Sequence, residues 1–148
     1  MEHYRKLERM YLAAPINQLL GPSLVVRDRE ATITHPVRED HCHAGQALHG
    51  SMYFKCLDDA CFFAANSVVE DVFVLTADFH IRLMRPVPVT ADHVRAEGRI
   101  VSETARILIC EGVLYDDQGA EVARGSGSFM RSRVALAHVP GYATLGTS

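Results

Sequence analysis

Leu48–Ser67, LHGSMYFKCLDDACFFAANS, is the stretch on which the reading of this chain turns. From Met52 to Val69 the run is apolar on nearly every side of a helix, broken only by Lys55, Asp58, Asp59 and the polar groups near its end. That is the pattern of a helix inside a core rather than on a surface. A carboxylate within such a helix is costly unless it is paired or put to use. Asp58 lies eight residues after Gly50, and His49-Gly50-Ser51 opens the helix. The first turn of a helix leaves N–H groups unsatisfied and carries the positive end of the dipole, which suits an oxygen gaining negative charge. Oxyanion donors together with a carboxylate point to acyl-transfer hydrolysis.

The segments around this helix are shorter. Tyr4, Leu7, Tyr11 and Ala14 recur at helical spacing, so residues 3–14 are expected to form an amphipathic helix that Pro15 ends. Pro15 then opens a short helical turn to Leu20, stopped by Gly21-Pro22, which makes an N-terminal helical segment of residues 3–20. Leu24–Arg27 and Ala31–His35 are strand-like and joined as a hairpin at Asp28-Arg29. Residues 36–48, PVREDHCHAGQAL, have no periodicity and form a loop. Phe73–Met84, Asp92–Ser102, Ala105–Tyr115 and Glu121–Arg133 have strand length, separated by Pro86-Val87-Pro88, Glu103-Thr104 and Asp116–Gly119. The tail after Val134 has few anchoring residues and is expected to be loosely ordered. Two strands, one long helix and four strands describe an α+β fold in which an antiparallel sheet of about six strands curves around one central helix.

With 148 residues, 48% of them hydrophobic, the whole chain 1–148 is sized for a single domain with a substantial core. A formal net charge of -3 without any basic cluster argues against nucleic acid as a partner. The four cysteines lack C-x-x-C spacing and are read as reduced thiols. The charged N-terminus does not resemble a signal peptide, and Lys55, Asp58 and Asp59 interrupt the central helix, so neither export nor a membrane span is expected. The expected location is cytoplasmic.

Leu48–Ser67, taken with TADFHIRLMRP at Thr76–Pro86 and the order of elements, resembles the hotdog-fold acyl-CoA thioesterases, and most closely those of the phenylacetate pathway type. The resemblance implies a hotdog fold. It implies that the Gly50 N–H is the oxyanion donor and that Asp58 is the nucleophile or general base. His43, six residues before His49, stands where relatives carry Asn or Gln and departs from that pattern; it can still hold a water or donate a hydrogen bond. Thr76, ten residues before Pro86, matches a family Ser or Thr and would orient water or Asp58. Ser51 replaces the second glycine of the common His-Gly-Gly.

Each of these residues also has a plainer reading. Gly50 can simply ease entry into a helix, and Asp58 can pair with an arginine. Asp59 lies four residues after Lys55, where an i,i+4 pair accommodates both charges, so Asp58 is the better catalytic candidate. His49 is read as holding the turn that aims the Gly50 N–H, and Ser51 as capping the helix. His41, Cys42, His43, His49, Cys56 and Asp58 do not make a closed metal signature, and no metal or organic cofactor is expected. Phe54 and Phe62 are candidates for lining an acyl pocket. Arg82 and Arg85 are candidates for meeting coenzyme A phosphates, against the plain reading of a solvated rim.

The expected reaction is hydrolysis of an acyl-CoA to a carboxylic acid and free coenzyme A. A hotdog-fold enoyl-thioester hydratase or dehydratase and a non-catalytic acyl-CoA-binding module are the alternatives. Eight residues of helix from Gly50 to Asp58 span about 12 Å at ~1.5 Å per residue, too far for one thioester carbon to touch both. The site is therefore expected to be shared across a two-fold homodimer, extending to a dimer of dimers.

Overall fold

The computed structural model describes residues 1–143 and has the α+β order anticipated from the sequence. Helices α1 (Glu2–Ala13) and α2 (Pro15–Leu20) precede strands β1 (Ser23–Arg27) and β2 (Glu30–Pro36). The central helix α3 (Gly50–Asn66) follows, then β3 (Val72–Leu83), β4 (His93–Glu103), β5 (Ile107–Tyr115) and β6 (Glu121–Ala135). Ala14 is extended, as the residue before a proline must tend to be, and this separates α1 from α2. The six strands form one sheet in the order β1-β2-β4-β5-β6-β3, with every neighbouring pair antiparallel.

The sheet packs its inner face on α3. Cys56, Leu57, Ala60, Cys61 and Ala64 are fully or almost fully buried, and the small side chains among them let the backbones approach closely. The closest approach is at Gly98 on β4, where a Cβ would stand 2.5 Å from the Ala60 carbonyl carbon. Any side chain there would push the helix off the sheet. On β3 the strand register shifts between Thr76 and Asp78. This β-bulge leaves Ala77 as the extra residue, so that Thr76, opposite Phe129, and Phe79, opposite Gly127, both face inward although they are three positions apart, an offset that in a regular strand would put them on opposite faces.

The α3–β3 connection is closed by Asn66, whose Nδ2 donates to the Val69 and Val72 carbonyls and whose Oδ1 accepts from the Val74 N–H. The segment after Val134 departs from expectation over its described part. β6 continues to Ala135, a 3-10 turn spans Leu136–His138, and both Leu136 and Tyr142 are buried. The anchor is long-range and invisible to local pattern: His3 on α1 lies 2.7 Å from the Tyr142 hydroxyl through Nδ1 and 2.9 Å from the Asn66 carbonyl through Nε2. The rest of the expected loose tail, residues 144–148, lies outside the described residues. No helix among the described residues is long and apolar enough to cross a membrane.

Candidate active site

Gly50 is the first residue of α3, and His49 is its N-cap with φ -65° and ψ 143°. The cap differs from the expectation for Ser51. It is the His49 imidazole that closes the turn, its Nδ1 accepting the Ser51 N–H at 3.0 Å and lying 2.8 Å from Ser51 Oγ. An Nδ1 that accepts leaves the proton of the neutral ring on Nε2, so the ring works as a brace for the turn. The His49 N–H is itself held by the His41 carbonyl at 3.0 Å. The Gly50 N–H, at the first helical position, meets no acceptor among the described residues. It borders a concavity of about 260 Å³ that also takes in His43, Leu48, Tyr53, Leu83 and Arg85.

Asp58 opens on a different cavity, of about 510 Å³. Its Oδ1 accepts the Thr76 hydroxyl at 2.9 Å. Burial raises the Asp58 pKa to about 6, with the neighbouring Asp59 charge pushing the same way, while the Thr76 hydrogen bond and the Lys55 charge oppose the rise. The carboxyl therefore changes charge close to neutral pH, where a general base is most effective. Phe62, Phe63, Phe73 and Leu75 give the cavity an aromatic and aliphatic wall, and Tyr11, Asn17, Lys55 and Asp59 give it a polar one.

The structure thus brings Asp58, Thr76 and Phe62 to one cavity and Gly50, His43 and Arg85 to another. Phe54 belongs to neither. Its ring packs edge-on against Phe79, with centroids 5.5 Å apart, and remains 41% exposed. Arg82 is separated from Arg85 as well. It lies opposite Arg124 in the β3–β6 pairing and borders a hollow of the sheet lined by Arg27, Arg99 and Glu111. Asp59 takes the expected pair with Lys55, at 2.7 Å. Tyr11 and Asn17 had no sequence signal as site residues, because they reach the cavity from α1 and α2 through tertiary packing alone. All four cysteines are free. Among the described residues no three His, Cys, Asp or Glu side chains converge as metal ligands; the His41 ring turns instead toward His35, with centroids 5.3 Å apart.

This helix-on-sheet architecture, with a carboxylate and an open helix N-terminus on the same helix, is that of a hotdog protein, and comparison with known proteins agrees. The thioesterase superfamily matches residues 45–123, more than half of the chain, and the chain belongs to that superfamily. The PaaI protein of the E. coli phenylacetic acid degradation operon superposes with a TM-score of 0.82 at 18% identity, over 90% of this chain and 96% of that one. A thioesterase family protein from Silicibacter pomeroyi gives 0.79 at 19% identity, over 86% and 96%. A mutant form of the phenylacetic acid degradation protein PaaI from Thermus thermophilus gives 0.72 at 23% identity, over 80% and 100%. At these identities the likeness establishes the hotdog fold. A search of curated proteins gives no match.

Proposed function

We propose that this protein hydrolyses an acyl-CoA thioester, with Asp58 as the catalytic carboxylate and the Gly50 N–H as the oxyanion donor. The observation that carries the reading is Asp58 itself: a carboxyl held by Thr76, poised near neutral pH, at the mouth of an aromatic cavity in a thioesterase-superfamily chain. As a general base, Asp58 takes a proton from water while the water oxygen bonds to the thioester carbon. The carbonyl oxygen gains negative charge and is met by the Gly50 N–H. The tetrahedral intermediate collapses by breaking the C–S bond, and the departing sulfur takes the proton back from Asp58. As a nucleophile, Asp58 instead displaces the thiolate to give a mixed anhydride, which water hydrolyses. The acyl group lies along Phe62, Phe63 and Phe73. The reaction needs no cofactor beyond coenzyme A in the substrate. Arg85 and His43 border the Gly50 end, where the coenzyme A arm would pass.

Gly50 and Asp58 border separate cavities in one chain, and the helical rise puts them about 12 Å apart. The working site is therefore shared in a homodimer, with Asp58 of one protomer facing the partner's Gly50. Two features support this. β3 lies at the edge of the sheet with only β6 paired to it, and Leu75 and Leu83 on that strand are 52% and 55% exposed. A two-fold axis at this edge would cover the apolar side chains and make two equivalent sites.

The test is thiol release from a panel of aryl, medium-chain and long-chain acyl-CoAs. Turnover with release of free thiol supports the reading. Addition of water to a 2-enoyl-CoA without thiol release would make the protein a hydratase, and tight binding without turnover, indifferent to replacement of Asp58, would make it a binding module.

A further inference from the structure

Beside Asp58, on the same cavity wall, α1, α2 and α3 are tied by a closed polar network. Lys55 Nζ donates to Asp59 Oδ2 at 2.7 Å, to Asn17 Oδ1 at 2.7 Å and to the Tyr11 hydroxyl oxygen at 3.2 Å. These use all three ammonium hydrogens. The Tyr11 hydroxyl donates to Asp59 Oδ2 at 2.6 Å, and Asn17 Nδ2 donates to the Tyr11 carbonyl at 2.8 Å. The Lys55 and Asp59 side chains are only 15% and 20% exposed, so the pair is shielded from water and from salt, unlike a surface i,i+4 pair. Tyr11 also docks its ring edge-on against Phe63, with centroids 5.1 Å apart.

Toward Asp58, β3 presents the Thr76 hydroxyl, α1 presents Tyr11, and α3 presents Lys55, Asp59 and the Cys61 thiol. Burial pushes Tyr11 and Cys61 well above their ordinary pKa values, so both stay neutral. Lys55 and Asp59 are the charges acting on Asp58, one favouring its ionised form and the other opposing it.

We propose that Lys55 is a positioning residue for the catalytic carboxylate: it neutralises Asp59 and fastens α1–α2 to α3, leaving Asp58 as the uncompensated carboxylate on the cavity wall. This rests on the reading of Asp58 as the catalytic group. Without Lys55, two adjacent carboxylates would share the wall, and Asp58 would hold its proton to higher pH. The N-terminal helices would also lose their tether, loosening the side of the acyl cavity formed by Tyr11 and Asn17.

The experiment compares the pH profile of kcat/KM for the wild type, Lys55→Met, Asp59→Asn and the double variant, alongside NMR titration of the Asp58 carboxyl carbon. Lys55→Met is expected to move the acid limb up by about one pH unit. The double variant, which removes both charges, is expected to bring it back to within a few tenths of the wild type. Asp59→Asn alone is expected to move it down, and keeps the test decisive should Lys55→Met fail to fold. An acid limb unmoved in the folded single variants, or still displaced in the double variant, overturns the inference. The NMR titration reports the coupling without turnover. An Asp58 signal that shifts as expected in a protein whose hydrolysis is indifferent to Asp58→Asn would therefore sink the catalytic reading while leaving the charge coupling intact, and an unshifted signal would sink the coupling.

Discussion

The Thr76 hydroxyl on β3 donates to Asp58 Oδ1 on α3 at 2.9 Å, and the β-bulge just after Thr76 lets that hydroxyl face the helix together with Phe79. The bond favours the ionised carboxylate against its burial. Thr76→Val keeps the shape and removes the donor. The Asp58 pKa of about 6 sets the midpoint expected for the acid limb of kcat/KM in the wild type, and that limb is expected to rise by about one unit in the variant, as a pH-rate series would read.

Asp58→Asn conserves size while removing the charge proposed to accept a proton or attack. Turnover is expected to fall by about 10²- to 10⁴-fold, with Asp59→Asn causing a much smaller loss at neutral pH. Steady-state thiol release measures both. The reverse ranking would transfer the catalytic role to Asp59.

The same substitution is expected to stabilise the protein at alkaline pH. The folded Asp58 pKa, about 6, exceeds the ordinary 3.8, so the folded state holds its proton longer than the unfolded chain does. Stability contributed by this group is full below about pH 4 and is lost as pH rises toward 6, a loss on the order of 1–3 kcal/mol. Thermal melts should give Asp58→Asn a higher Tm than wild type at pH 8 and little difference at pH 4.

Gly50→Pro removes the N–H proposed as the oxyanion donor. Position 50 is the first of the helix, where proline is tolerated, and His49 already has the extended conformation a following proline requires. The variant is expected to fold and lose most turnover. Mixed with Asp58→Ala chains, it should regain activity: half of the dimers at random assortment are heterodimers, each with one intact site, giving about a quarter of the wild-type rate. Heterodimers that form, by native mass spectrometry, yet stay inactive would return both groups to one chain.

Hydrolysis is expected to survive exhaustive chelation, because in the proposed mechanism a carboxylate and a backbone N–H supply both the base and the oxyanion donor. Collapse with chelator and recovery with zinc would instead implicate the histidines of residues 36–49.

The sequence by itself determined the elements and their order. A helix apolar on nearly every side has to be central, and strands of alternating pattern have to turn one face to it, so the α+β fold was legible from local periodicity. So was the candidate carboxylate, because a charge inside an apolar run stands out. What only the tertiary structure decided depends on contacts between distant segments. The bulge at Ala77 resets the inward face of β3 without any glycine or proline to announce it. Tyr11 and Asn17 meet Lys55 and Asp59 across more than thirty residues. Tyr142 is held in place by His3 of α1, which the Asn66 carbonyl of α3 holds in turn, and Leu136 is tied by its N–H to the Asp71 carbonyl. Phe54 and Phe62, two turns apart on α3, part company because the first packs edge-on against Phe79 while the cavity receives the second. Periodicity assigns a residue to a face, and its neighbours there are chosen by how the faces are brought together.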